Sequence, residues 1–231
     1  MRTLVLILLA LGLGAAPAAA EPRPLERYRE VFGPEVEVRW NAMKTAPWSL
    51  RGLDVPTRGA SSAERALGFA RENAGLLGLE DGEVAVAETR DAVFAGRTVR
   101  GAVLQRLWRG LPVEGQTLSV RMDGEDRVRS VTSSVGLLVV EEPSTIIDPA
   151  SAQRVVRDTY AVAAVGAPTR VVRAFGNIGR VAWRVPVAVI PLEAHFFVWV
   201  DAASGRILGE RPAGADQAMR EIPLQRTEAR P

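Results

Sequence analysis

In the run Gln116-Thr117-Leu118-Ser119-Val120-Arg121-Met122, the polar residues Thr117, Ser119 and Arg121 alternate with Leu118, Val120 and Met122. A period of two marks a strand with one face in the core. Residues 98–104 lead into it through a corner running from Gln105 to Gly115. In that corner Gly110 can take a positive φ, and Pro112, which has no N–H, suits a strand's first residue or an edge. The two runs therefore predict a hairpin. Further strands are predicted over residues 36–41, 84–90, 128–135, 169–175, 181–190 and 195–200. Turn chemistry separates them around Pro47 and Gly52, at Gly96, at Asp123-Gly124, at Gly176-Asn177 and over residues 201–205.

Two segments change period. Ser61-Ser62-Ala63-Glu64 is a capping-box pattern, and Ala63, Ala66, Leu67, Ala70 and Ala74 then fall on one helical face. Gly75 or Gly78 is the expected stop. Asp148-Pro149 reads as an N-cap followed by proline in the first turn, ahead of a stripe containing Ala152, Val155, Val156, Thr159 and Tyr160. Residues 22–29 are polar and proline-rich, and read as a disordered lead-in. Helix followed by antiparallel strands thus occurs twice. The predicted fold is α+β, two tandem helix-on-antiparallel-sheet subdomains of cystatin-like form.

The division that follows is an export signal over 1–20, an N-terminal strand or hairpin segment over 21–60, a first subdomain over 61–142, a second over 143–211, and a flexible tail over 212–231. The signal rests on Arg2, the apolar run 4–13 and the small residues Ala18 to Ala20. A secreted or periplasmic address is expected, with no membrane anchor once the signal is cleaved. Cysteine is absent, so neither a disulfide scaffold nor thiol chemistry is available. The 29 basic residues, almost all arginine, face 27 acidic ones and are spread along the chain, which argues against a nucleic-acid surface.

The chemistry is sparse. His195 is the single histidine of the sequence, so the paired ligands of a catalytic zinc site and the base of a nucleophilic triad both lack residues. His195 itself reads as a satisfied strand residue. Carboxylate pairs such as Glu141-Glu142 and Asp123 with Asp126 lie beside a proline or in a turn, where they are better turn formers than acid and base. No metal or cofactor site and no enzymatic activity is expected. Consecutive Phe196 and Phe197 must point to opposite faces of their strand, so one needs cover from a helix, the other unit or a partner; cover from within the chain is the favoured reading, and both are the candidate partner-facing residues.

The corner Gln105, Gly110, Pro112, Val113 and Gly115 resembles the propeptide domain of fungalysin and thermolysin-type metallopeptidases. The later words, Trp183 within Val-Ala-Trp-Arg-Val-Pro-Val and Asp201-Ala202 followed by Gly205, resemble the PepSY module that follows it. The resemblance implies that these residues are structural and that the partner is a secreted zinc metallopeptidase, folded or held shut by this chain. The sequence stops at Pro231 with no His-Glu-x-x-His, so action in trans is expected. Three readings stay open: a free-standing inhibitor or folding chaperone, the remnant of a truncated zymogen, and an extracellular or envelope binding module on the same fold. The architecture is the crux, because a single sheet with parallel neighbours would contradict the kinship.

Overall fold

Leu25–Phe32 forms a helix, α1, where the composition predicts disorder. Two turns of helix are unstable alone, so packing decides. Tyr28 and Phe32 are four residues apart on one face and both are buried. The Tyr28 hydroxyl donates to the Leu76 carbonyl at 2.6 Å, and its ring meets Trp40 edge-on at 5.3 Å. Neither partner is near in sequence, which is why the local pattern is silent.

The structure, a computed structural model, describes residues 25–79, 83–94, 96–160, 164–189 and 194–213. The predicted export signal, and all but the first two residues of the predicted tail, lie outside the described residues. After α1 come β1 (Glu37–Trp40), β2 (Pro47–Pro56), α2 (Ser62–Glu72), β3 (Val84–Thr89), β4 (Ala92–Phe94), β5 (Arg97–Trp108), β6 (Leu111–Met122), β7 (Arg127–Ser133), β8 (Val139–Glu141), α3 (Pro149–Thr159), β9 (Ala164–Val165), β10 (Thr169–Phe175), β11 (Ile178–Val189), β12 (Ala194–Asp201) and β13 (Ile207–Pro212).

These strands make one 13-stranded sheet in the order β1-β2-β7-β6-β10-β11-β12-β13, with β5 on the other side of β6 and carrying β3 and β4. The expectation of two separate antiparallel subdomains is therefore overturned. Two pairings are parallel: β10 with β6, at Val172 opposite Val113 and Arg173 opposite Glu114, and β8 with β11. The cause lies in β6. Its pairing with β7 runs from Leu118 to Met122, so the edge of its first half is left without β7. Unpaired backbone groups on a buried edge are costly, and β10 satisfies them. Likewise Val139–Glu141, beyond the strand predicted over 128–135, is β8 and pairs with β11.

Side chains on the sheet gather into three apolar groups. The largest packs α1 and α2 on the sheet's first half, with Phe69, Ala66, Leu50, Leu104, Leu118 and Val120 at its centre. A second sets Ala152 and Val156 of α3 on Val185, Val187, Val198 and Val200. The third joins Val171, Ala182, Phe197 and Trp199.

Both predicted helix starts are present. Ser61 accepts from the Glu64 N–H at 3.2 Å, and Asp148 accepts from the Ser151 N–H at 2.8 Å. The α2 terminus differs from the glycine stop expected. Asn73 is its C-cap, and the Asn73 side chain donates to the Phe69 carbonyl at 2.8 Å. Gly78 does take the left-handed φ, 75°, but beyond the helix end, and a Cβ there would lie 2.7 Å from that of Ala46.

Candidate functional site

The predicted corner is where the sheet is joined. Arg109 and Gly110 both have positive φ, 48° and 76°, which is the two-residue hairpin geometry that follows a strand's right-handed twist and favours glycine. Pro112 sits opposite Leu107 near the start of β6. The register then slips. Leu107 pairs with Pro112 but Gln105 pairs with Thr117, so residues 113–116 bulge away from β5. Gly115, φ 80°, makes the bend.

The Gln105 amide fills the bulge, donating to the Val113 carbonyl at 2.6 Å and the Gln116 carbonyl at 2.9 Å. Val113 and Glu114, carried outward by the bulge, meet β10. Gln105 is thus the tie that lets β6 bridge the two halves. Gln105→Ala should remove a donor from these two carbonyls and from that of Arg106, and cost about 1–3 kcal/mol in urea unfolding. A cost near zero would mean that the bulge holds itself.

The second set of motif residues anchors the approach to α3. Trp183 donates from Nε1 to the Ile147 carbonyl at 3.0 Å, and Ala202, buried, accepts the Ile147 N–H at 2.8 Å. Asp201 caps its turn, Oδ1 accepting from the Ala203 and Ser204 N–H groups at 3.0 and 2.7 Å. The Gly205 N–H returns to the Asp201 carbonyl at 2.9 Å.

Phe196 and Phe197 point to opposite faces as their adjacency requires, but both are covered from within the chain. Phe196 packs edge-on against Tyr160 of the α3 cap at 5.2 Å. Phe197 is fully buried beneath the Arg184 guanidinium, 4.8 Å from its ring centre. A partner would meet arginine at Phe197, not the ring. His195 departs from the satisfied residue expected, since its Nδ1 is buried with no hydrogen-bond partner among the described residues.

Around Phe197 and Trp199 the structure assembles a charged face that the sequence does not announce. Arg173 of β10 lies 4.1 Å above the Trp199 ring, Arg211 of β13 lies 5.7 Å from it, and Arg184 of β11 covers Phe197. Glu114, carried there by the bulge and only 12% exposed, is the carboxylate they share. Its contacts are long, 3.5 Å to Arg184 and 3.8 Å to Arg173, and Oε2 accepts no hydrogen bond. The Trp199 N–H is near enough to favour the ionised carboxylate, yet outside hydrogen-bonding geometry.

Burial pushes the Glu114 carboxyl above its ordinary value of 4.5; Arg184, then Arg173, pull it down without prevailing. A raised folded value means stability that is fully present below the unfolded value and lost as pH rises through the folded one. The advantage of Glu114→Gln over wild type in unfolding free energy should therefore grow from about pH 4 upward and level off once Glu114 is ionised. A pH-independent difference in paired denaturation curves would refute the assignment.

The face runs into a groove. Arg173 is also 5.9 Å from the Phe175 ring centre, and Phe175 lines a groove of about 790 Å³ with Glu141, Ile178, Arg180, Arg206 and Leu208. Phe175 and Ile178 flank the β10–β11 turn and are 43% and 42% exposed. Among the described residues no group of three or more His, Asp or Glu side chains is placed to hold a metal ion, and no helix is long and apolar enough to cross a membrane.

No family model matches this chain, and no curated protein matches it either. Among the solved structures that match, two are similar at low level. One is the C-terminal domain of YpeB from Bacillus megaterium, 12% identical over 73% of this chain and 72% of that one, with a TM-score of 0.39. The other is described as a lipoprotein of Clostridium difficile 630, 8% identical over 68% of this chain and 95% of that one, with a TM-score of 0.25. Scores this low neither set the fold of this chain nor speak to its function.

Proposed function

We propose that this chain is an exported, non-catalytic binding protein that works by docking a partner on the groove beside the β10–β11 turn. The observation carrying this reading is the pair of exposed apolar side chains, Phe175 and Ile178, on the rim of a groove of about 790 Å³. Apolar side chains exposed together at a concave site favour association over solvation. Arg173 lies 5.9 Å from the Phe175 ring centre, so apolar contact and charge would act on the same partner.

The sequence resemblance nominates a secreted thermolysin-type zinc metallopeptidase as that partner, with inhibition or assisted folding as the outcome. Its support is now narrower. The propeptide and PepSY likenesses were expected to come with two separate antiparallel units, and the single sheet with its parallel neighbours contradicts that kinship by the criterion the sequence reading set. What remains is the corner and turn residues. The test is to titrate the purified protein against such a peptidase, following proteolysis and refolding. A slowed proteolysis rate or faster refolding, either one lost in Phe175→Asp, supports the peptidase as partner. No change in either rate eliminates the peptidase, and a partner unaffected by Phe175→Asp eliminates the groove.

A further inference from the structure

We infer that the Glu114 face is a recognition site for a carboxylate-rich segment of the partner protein; this rests on the binding reading above and adds the partner's chemistry. The charge count comes first. Arg173 and Arg211 both lie by the Trp199 ring, and Glu114 is the carboxylate that feels both of them. That leaves an excess of positive charge on a surface whose floor is buried aromatic.

The donors come second. Arg173 approaches Glu114 at 3.8 Å, beyond hydrogen-bond range, and Arg211 forms no ion pair among the described residues. Both guanidiniums lie by the same indole, at 4.1 and 5.7 Å. An arginine stacked on a ring has already lost part of its rotamer freedom, so a carboxylate accepting two N–H bonds from it loses less entropy on binding. Stacking also leaves the in-plane N–H groups available.

Access comes third. Arg211 is exposed and lies on β13, the last strand in the sheet's order. Beside Trp199, Gly209 has nothing among the described residues within 4 Å of where a Cβ would stand, so β13 is uncrowded next to the indole. An extended acidic segment running along β13 would place alternate carboxylates on the Arg211 side. Arg173 would take a further one towards the groove.

The test uses a fluorescent hexaglutamate peptide, with hexaglutamine, inorganic phosphate and phosphatidylglycerol vesicles as comparison probes, on the whole protein. Hexaglutamate should bind, and Arg211→Gln should weaken it about tenfold while Arg211→Lys retains part of the affinity. Arg51→Gln, an exposed arginine on β2, should change it less than about twofold, which separates this site from general attraction. Retained circular dichroism shows that Arg211→Gln is folded. Absence of hexaglutamate binding, equal losses in Arg211→Gln and Arg51→Gln, or binding of phosphate or vesicles in its place would each overturn the inference. A partner that still docks through Phe175 with Arg211→Gln unchanged would remove this site and leave the binding reading standing.

Discussion

Trp199→Ala is expected to destabilise the protein by about 3–5 kcal/mol in urea unfolding, the cost of emptying a fully buried aromatic site. The Trp199 ring has no exposure, and among the described residues arginines lie over it. Removing it would also take away the surface on which Arg173 and Arg211 rest, so hexaglutamate affinity should fall together with stability. Trp199→Phe keeps a ring beneath Arg173 and should be clearly milder on both counts. A Trp199→Ala cost below about 1 kcal/mol would mean that the arginines do not seal the face and that the indole is effectively at the surface.

Val172→Asp should be at least as damaging, about 4 kcal/mol or more at neutral pH, because a fully buried carboxyl has its pKa raised by some 3–5 units. Val172 is buried and faces Val113 across the parallel joint. The sign with pH is fixed. The introduced carboxyl is neutral when folded, so its cost should be smallest in acid and grow by about 1.4 kcal/mol per pH unit above the unfolded value. Val172→Thr, nearly the same shape, serves as the control. Were the two halves separate units with this edge in water, Val172→Asp would be tolerated within about 0.5 kcal/mol.

What could be read from the sequence was local. The strand runs, the Ser61 and Asp148 caps and the corner at Gly110 each follow from a few neighbouring residues, and each has its counterpart in the structure. The joint between the halves has no such signature. Backbone pairing of Val113 with Val172 uses groups that every residue carries, and the register slip that frees it depends on Gln105 reaching carbonyls at 113 and 116. The tandem order of helix and strands suggested two units because order says nothing about which edges meet.

The candidate site was hidden for a related reason. Glu114, Arg173, Arg184 and Arg211 come from four strands, and none stands out against the 29 basic and 27 acidic residues of the chain. Phe197 was marked by its neighbour Phe196, and it shares its strand with Trp199. Cover from within the chain was the favoured expectation, but that arginine supplies it was not legible. Arginine cover over Phe197 and Trp199 is a property of the assembled sheet. Helix α1 was missed because the partners of Tyr28 and Phe32, namely Leu76, Trp40 and Phe69, are remote in sequence.

The continuous sheet is the claim on which both the face and the groove depend, and native-state hydrogen exchange in rising urea tests it most directly. Peptides from Leu111–Met122 and Thr169–Phe175 should lose protection in one shared opening, together with Pro47–Pro56 and Ala194–Asp201 on either side. If the strands up to β7 and the strands from β10 onward open at separate urea concentrations, with residues 113–114 and 172–173 unprotected throughout, the joint does not exist and the account fails with it.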